Sequence, residues 1–133
     1  MGAFLKWVQM ITNFENYTFD LTEFEKSLLP VIAVSLQGRT IATPIKEPEI
    51  IAAVNCWLQA KGIYKTISGV RLRKIVGQLR IHSVLPIIAT QHGYFVSFDP
   101  AVIKKQINSL HERAAAIAAC AYGLKAFLDE KPG

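Results

Sequence analysis

The segment Ser68–Arg80 predicts an amphipathic helix whose solvent side is almost entirely cationic. Ser68 is a favourable N-cap residue. Four apolar residues recur at i, i+3, i+4 and i+7 and so share one buried stripe: Leu72, Ile75, Val76 and Leu79. The other side carries Arg73, Lys74, Gly77 and Gln78, and the borders of the stripe carry Arg71 and Arg80. The chain must therefore fold with one face of this helix in a core and a positively charged face in solvent.

Gly77 stands in the middle of this predicted helix. A glycine there costs about 1 kcal/mol relative to alanine. We therefore expect another backbone, including that of a nucleic acid, to come close at this position.

The positive charge of the chain is concentrated in its middle. The stretch from Ile50 to Phe98 contains no Asp or Glu, and it holds six basic residues: Lys61, Lys65, Arg71, Arg73, Lys74 and Arg80. All ten acidic residues lie outside it, so the formal net charge of +5 arises in this stretch. A field this uneven attracts a polyanion. The alternative is that the charges only solvate one face of a core helix, as charge runs often do.

The cysteines and histidines indicate neither a disulfide nor a metal site. Cys56 and Cys120 lie within helical patterns and predict reduced thiols in the core of a cytosolic protein. The sequence has no CxxC motif, and none of its three histidines stands at metal-ligand spacing from a cysteine. We expect no metal and no cofactor.

Enzymes and membrane proteins are disfavoured as classes. The acid-free middle offers no carboxylate base, and the sequence has no nucleophile motif and no phosphate-binding glycine loop. No apolar stretch approaches the roughly 20 residues that span a bilayer, and Met1–Phe19 does not have the form of a signal peptide. The sequence predicts a cytoplasmic protein that is not an enzyme and does not bind a membrane.

A helix and a short strand are predicted near the start of the chain. Thr22–Glu25 has the spacing of a capping box and opens a helix from about Glu23 to Leu36. Pro30 lies inside this helix and predicts a kink or an early break. The segment Ile41–Ile45 contains a proline and is compatible only with an edge strand.

A second helix is predicted directly before the cationic one. It begins at Pro48, which has a glutamate on either side, and it ends at Gly62. Its predicted buried face consists of Ile50, Ile51, Val54, Trp57 and Leu58. The second and third helices have the outline of a helix-turn-helix. Their connection from Gly62 to Ser68 is longer than a tight three- or four-residue turn.

A β-hairpin is predicted after the cationic helix. Leu85–Thr90 and Tyr94–Phe98 are rich in β-branched and aromatic residues, and the three residues between them include a glycine. A hairpin in this position corresponds to the wing of a winged helix-turn-helix domain.

The C-terminal part of the chain predicts one long helix. Asp99 is its N-cap, Pro100 its first residue, and the pattern continues to Leu128. Eight residues spaced alternately by four and three form a heptad seam: Ile103, Ile107, Leu110, Ala114, Ile117, Ala121, Leu124 and Leu128. Such a helix is about 45 Å long, more than a small domain needs, so we predict a homodimer through this seam. The alternative is coverage of the seam within one chain by Phe4, Trp7, Ile11 and Phe14.

The predicted fold class is α+β, mainly helical: a winged helix-turn-helix with a β-hairpin wing and a long C-terminal helix. We expect residues 1–20 to form a helical or irregular extension, residues 21–98 the winged helix-turn-helix domain, and residues 99–133 the long helix, a candidate dimerisation element.

Six stretches between about residue 20 and residue 128 form a distinctive combination: Leu21–Glu25, Leu28–Pro30, Ile67–Ile75, Leu85–Thr90, Gly93–Val96 and Ser109–Arg113. Together they resemble short winged helix-turn-helix proteins found in phages and prophages. Relatives of this kind are regarded as DNA-binding proteins, and some phage winged-helix proteins act in replication initiation or transcription control. The resemblance implies the fold and a role in one of these processes.

The fold assigns the polar residues to two kinds of DNA contact. In a winged helix the basic helix enters the major groove, while the hairpin lies along the backbone or minor groove. Arg73 and Lys74 suit the acceptors of guanine, and Gln78 suits adenine. Phosphate contacts are predicted for Lys61, Lys65, Arg71 and Arg80, and on the wing for Thr90, Gln91 and His92. Tyr94 could also donate to a phosphate, but an aromatic residue of a hairpin more often packs in a core.

The sequence thus predicts a sequence-specific or structure-specific double-stranded DNA-binding protein of phage or prophage type, in transcription control or replication initiation. The alternative is a protein-interaction adaptor of a replication complex that uses the winged domain and C-terminal helix without contacting DNA. A gel-shift titration separates the two, because an adaptor gives no shift at physiological salt. Reversal of Arg73 and Lys74 to glutamate is expected to abolish DNA binding without unfolding the chain.

Overall fold

The computed structural model describes residues 21–129, which form four helices and one β-hairpin. In chain order the elements are α1 (Glu23–Gln37), α2 (Glu47–Ala60), α3 (Gly69–Ile81), β1 (Ile87–Thr90), β2 (Gly93–Val96) and α4 (Pro100–Asp129). The α+β, mainly helical class is therefore confirmed. The chain divides into two compact units between Phe98 and Asp99. The predicted extension of residues 1–20, with the apolar residues expected to cover the seam, lies outside the described residues.

Helix α1 begins at the predicted capping box. The Thr22 hydroxyl accepts a hydrogen bond from the Glu25 backbone N–H at 3.1 Å, and Glu25 Oε1 accepts one from the Thr22 N–H at 2.9 Å. The helix then continues through Pro30 to Gln37, so the early break predicted there does not occur. Leucine and isoleucine side chains on both sides of the proline are buried, and their burial outweighs the missing backbone hydrogen bond.

Helix α3 has the predicted N-cap and the predicted buried stripe. The Ser68 hydroxyl accepts a hydrogen bond from the Arg71 N–H. Leu72, Ile75, Val76 and Leu79 are all buried in a core that also includes Leu28, Leu29, Ile32, Leu36, Ile50, Val54 and Leu58. Helices α1 and α2 both pack on this stripe, and Arg71, Arg73 and Lys74 on the other side of α3 are exposed.

Helix α2 departs from its predicted buried face at Trp57, and Ile51 is only partly buried. Ile50, Val54 and Leu58 are buried, but Trp57 is 39% exposed. The indole lies at the edge of the stripe, where the Lys61 ammonium stands 5.7 Å from its ring centroid. The prediction of a buried Trp57 is therefore wrong, because a residue at the border of a helical stripe is covered only if another element reaches it.

The connection between α2 and α3 is fixed at both ends. Gly62 has a left-handed φ of +76°, and it ends α2 in a Schellman motif: its N–H donates to Gln59 O, and the Ile63 N–H donates to Leu58 O, both at 3.0 Å. At the other end, the buried Ile67 donates its N–H to Asn55 Oδ1 at 2.9 Å. The long connection is thus anchored to α2.

Strands β1 and β2 pair antiparallel, with Ile87 opposite Val96 and Thr90 opposite Gly93. The strands are shorter than predicted, and the loop has two residues because Gly93 belongs to β2. Of the predicted edge strand 41–45, only Ile45 pairs, through a bridge to Tyr94. Thr40 and Thr43 bond to each other through their hydroxyls and backbone in a turn, and residues 41–44 do not pair with the hairpin.

Helix α4 begins after Asp99, whose Oδ1 accepts a hydrogen bond from the Ala101 N–H at 3.0 Å. Its side chains from His111 to Leu128 are exposed, and Cys120 is among them. Cys56 is also exposed, on the solvent side of α2. The prediction of core thiols is therefore wrong: Cys56 lies off the buried stripe formed by Ile50, Val54 and Leu58, and Cys120 lies in the exposed part of α4. None of the four helices in residues 21–129 combines the length and hydropathy that a membrane span requires.

Candidate functional site

The exposed face of α3 carries three cationic side chains. Arg71, Arg73 and Lys74 all lie in solvent, because the intervening apolar residues are held in the core. Two of them contact other elements of the chain, and these contacts decide how the face is arranged.

Arg73 forms an ion pair with Glu47 at the start of α2. The distance from Arg73 Nη1 to Glu47 Oε1 is 2.8 Å, and the two side chains are 57% and 28% exposed. Gly69 makes room for the carboxylate, because a methyl group at that position would overlap Glu47 Oε1. Glu47 was absent from the predicted site. It lies just outside the acid-free stretch, and no short-range pattern connects it to α3.

Tyr94 of β2 extends this contact to the hairpin. Its hydroxyl donates to Glu47 Oε2 at 3.5 Å, and its ring packs against the core, as predicted. Burial, and next the Glu47 carboxylate, raise the pKa of Tyr94 above its ordinary value of 10.0. The phenol therefore stays neutral at physiological pH and remains a hydrogen-bond donor to the carboxylate.

Arg71 and Lys65 meet over the ring of Phe24 on α1. Lys65 Nζ lies 5.2 Å and Arg71 Cζ 5.9 Å from the ring centroid. Cation–π contacts at exposed sites contribute about 0.5–1 kcal/mol each. The two cations belong to different segments, and the ring brings them together at the N-terminal end of α3.

Arg80 and Gln78 are less accessible than the cations that precede them. Both are half-buried. Arg80 Nε donates to the carbonyl oxygen of Ile87 at 3.0 Å and so ties α3 to β1. The Gln78 Oε1 atom is buried and accepts no hydrogen bond from any described residue. In this arrangement Arg80 fixes the position of the hairpin relative to α3.

The hairpin loop places Thr90, Gln91 and His92 in solvent. Thr90 Oγ1 accepts a hydrogen bond from the His92 N–H at 3.1 Å, which shapes the loop. A groove between the loop and the start of α2 is lined by Lys46, Glu47, Ala89, Thr90, Gln91, Gly93 and Tyr94. Thr90 and Gln91 therefore share this groove with Glu47, the partner of Arg73.

The structure brings the predicted residues together in two places. Lys65 and Arg71 converge on Phe24, and Arg73 is joined through Glu47 and Tyr94 to the hairpin. Lys61 lies apart from both, against Trp57. Across residues 21–129, no group of three or more His, Cys, Asp or Glu side chains is placed to hold a metal ion.

Comparison of the chain with protein-family models, with curated proteins and with solved structures gave no match.

Proposed function

We propose that the chain is a winged helix-turn-helix protein that binds double-stranded DNA, with α3 as its recognition helix and the hairpin as its wing. The observation that carries the proposal is the solvent face of α3. Arg71, Arg73 and Lys74 lie exposed on a helix whose opposite face is buried, in a stretch without acidic residues. A helix of this kind fits the major groove, where cations meet base acceptors and phosphates.

The contacts divide the proposed roles. Arg73 and Lys74, in the middle of α3, are proposed to reach base edges. Lys61, Lys65 and Arg71, each held against an aromatic ring at or near an end of the α2–α3 connection, are proposed to meet phosphates. The exposed loop of the hairpin is proposed to contact the DNA backbone. A role in transcription control or replication initiation, of phage or prophage type, follows from the sequence resemblance alone.

We also propose that two copies pair through α4. Four large apolar residues of the seam are exposed on this helix: Ile107, Ile117, Leu124 and Leu128. Exposed apolar residues that repeat with a heptad period are suited to pairing with a second helix. Sedimentation of the double variant Ile117→Glu/Leu124→Glu is expected to show monomer, while Tyr122→Glu, an exposed position outside the seam, keeps the dimer. A wild-type protein that sediments as a monomer at micromolar concentration removes this part of the proposal.

The second candidate is an adaptor, and the same exposed residues of α4 favour it. In that role the apolar side of the helix would dock a protein partner, and the basic face of α3 would meet an acidic surface. Binding of duplex DNA at physiological salt separates the two candidates, because only the first predicts it.

The test is a titration of fluorescently labelled random-sequence duplex, followed by anisotropy. The logarithm of the affinity is expected to fall with the logarithm of salt concentration, with a slope of about −0.9 per phosphate contact. The affinity of the variant Arg73→Glu/Lys74→Glu for the duplex is expected to be lower by at least about tenfold. Lys104→Glu/Lys105→Glu, the same charge change at an adjacent exposed pair on α4, serves as the control. Equal binding by the two double variants would overturn the assignment of α3.

A further inference from the structure

The connection between α2 and α3 presents an aromatic side chain that the proposed major-groove contact does not use. Tyr64 is 92% exposed, the highest value among the large apolar side chains of the described residues, and its neighbour Ile63 is also exposed. The connection that carries them is anchored at Gly62 and at Ile67. The structure thus holds a flat, exposed ring on a fixed loop.

Tyr64 borders a shallow groove with a largely apolar wall. Its lining also includes Ala52, Asn55, Cys56, Gln59, Ile63, Lys65 and Thr66. Asn55 is committed to the Ile67 N–H, so this wall is held in place by a hydrogen bond. No acidic residue lines this groove in the described part of the chain.

A second groove adjoins the first and has a different character. Lys65 and Thr66 line both grooves, and the second is completed by Thr22, Glu23, Phe24 and Arg71. Here Lys65 and Arg71 converge on the Phe24 ring. The acid at its rim, Glu23, is engaged with Lys26 at 3.3 Å. One side of Lys65 is therefore apolar and aromatic, and the other side is cationic.

We propose that the two adjoining grooves bind one unpaired nucleotide of a DNA strand. Its base stacks on Tyr64, and its phosphate lies between Lys65 and Arg71. An aromatic platform beside a positively charged groove is the combination by which proteins hold single-stranded nucleic acid without reading its sequence. Lys65 and Arg71 beside this aromatic platform favour a nucleic acid over an apolar protein segment. The inference rests on the proposed function and specifies its substrate as a duplex with a single-stranded extension.

The experiment compares a blunt duplex with the same duplex carrying a short single-stranded overhang. The overhang contains 2-aminopurine at its first unpaired position, because the fluorescence of this base is quenched when it stacks. Wild type is expected to bind the overhang probe about 5- to 150-fold more tightly than the blunt probe, the range that one base–aromatic stack provides. Quenching is expected to accompany this binding.

Three variants assign the effect to Tyr64. Tyr64→Ala is expected to lose both the preference and the quenching while it keeps wild-type affinity for the blunt duplex. Tyr64→Phe retains the ring and is expected to keep both. Tyr122→Ala removes another largely exposed tyrosine, from α4, and is expected to change neither. Since Tyr64 lies almost entirely in solvent, its replacement is not expected to unfold the domain.

The outcomes separate this inference from the proposed function. Equal affinity of wild type for both probes, or a preference that survives Tyr64→Ala, overturns the nucleotide site and leaves duplex binding standing. Tyr64-dependent binding of the overhang without any binding of blunt duplex supports the site and overturns the proposed function. Binding of neither probe overturns both, and the grooves would then be surfaces for a protein.

Discussion

Arg73 of α3 and Glu47 of α2, 26 positions apart in the chain, meet at 2.8 Å in an ion pair. The pair stands beside the hydroxyl of Tyr94, so it links α2, α3 and the hairpin. Arg73 is more than half exposed and remains accessible to a ligand. In the proposed complex the Glu47 carboxylate competes with DNA for the guanidinium group. The pair therefore sets how strongly the cationic face of α3 attracts a phosphate or a base.

The first prediction concerns Glu47→Gln. Loss of the carboxylate releases Arg73 and removes a negative charge from the interface, so affinity for duplex DNA is expected to rise severalfold. The free energy of unfolding is expected to fall by no more than about 1 kcal/mol, because exposed ion pairs contribute about 0.2–1 kcal/mol. Anisotropy titrations and urea unfolding measure the two effects.

Glu49→Gln is the control for this change. Glu49 lies in the same first turn of α2 and is exposed, so its replacement removes the same negative charge from this end of the helix. An equal gain in DNA affinity for the two variants would show that the affinity depends on net charge alone and is independent of the Arg73–Glu47 contact.

The second prediction concerns Gly77→Ala. A Cβ atom at this position would have open space around it, so no other element in residues 21–129 brings its backbone close to Gly77. Alanine is therefore expected to raise the free energy of unfolding by about 0.5–1 kcal/mol. If the DNA backbone comes close here, the same variant loses affinity for duplex DNA.

Gly123→Ala provides the matched comparison, since Gly123 is also inside a helix and also has open space around it. It is expected to stabilise the chain to a similar extent without changing DNA affinity. A stabilised Gly77→Ala variant with wild-type affinity would argue against close approach of DNA at the middle of α3.

The third prediction concerns Gly93→Ala in the hairpin. Gly93 has a φ of +124°, and a Cβ there would stand 2.6 Å from the carbonyl oxygen of Ile45, which belongs to the backbone. Strain alone costs about 1–3 kcal/mol, and the overlap would also disturb the bridge between Ile45 and Tyr94. Gly62→Ala is strained as well but has open space around it. Urea unfolding is expected to show a larger loss for Gly93→Ala; equal losses would contradict the role of the Ile45 contact.

The fourth prediction is a dependence of stability on alkaline pH. Below about pH 10 the phenol of Tyr94 is neutral in both the folded and the unfolded chain. Above it the unfolded chain ionises first, because burial and Glu47 raise the pKa of the folded state. The free energy of unfolding is therefore expected to fall as the pH rises from 10 toward the folded pKa.

Tyr94→Phe removes this contribution to the alkaline decline, whereas Tyr64→Phe, at an exposed position, leaves it in place. Urea unfolding at about pH 8 and about pH 10.5 measures the difference. An alkaline decline of the same size in wild type and Tyr94→Phe would assign it to other groups.

The helical elements were predictable because their signals are local. The stripe of α3, its Ser68 cap and the capping box at Thr22 depend on residues within a few positions of one another, and all are present as predicted. Predictions about burial at the borders of helices were less successful. Trp57, Cys56 and Cys120 are exposed in the described part of the chain, and whether another element covers such a residue depends on packing between segments far apart in the sequence.

The sequence by itself determined that α3 has one apolar face and one cationic face, because the period of an α-helix assigns each residue to a side. Only the tertiary structure decided what meets that cationic face. It placed Glu47 against Arg73, drew Lys65 and Arg71 to one ring, and turned Arg80 toward Ile87. These contacts join residues on different elements, and their geometry follows from how the helices and the hairpin pack on a shared core.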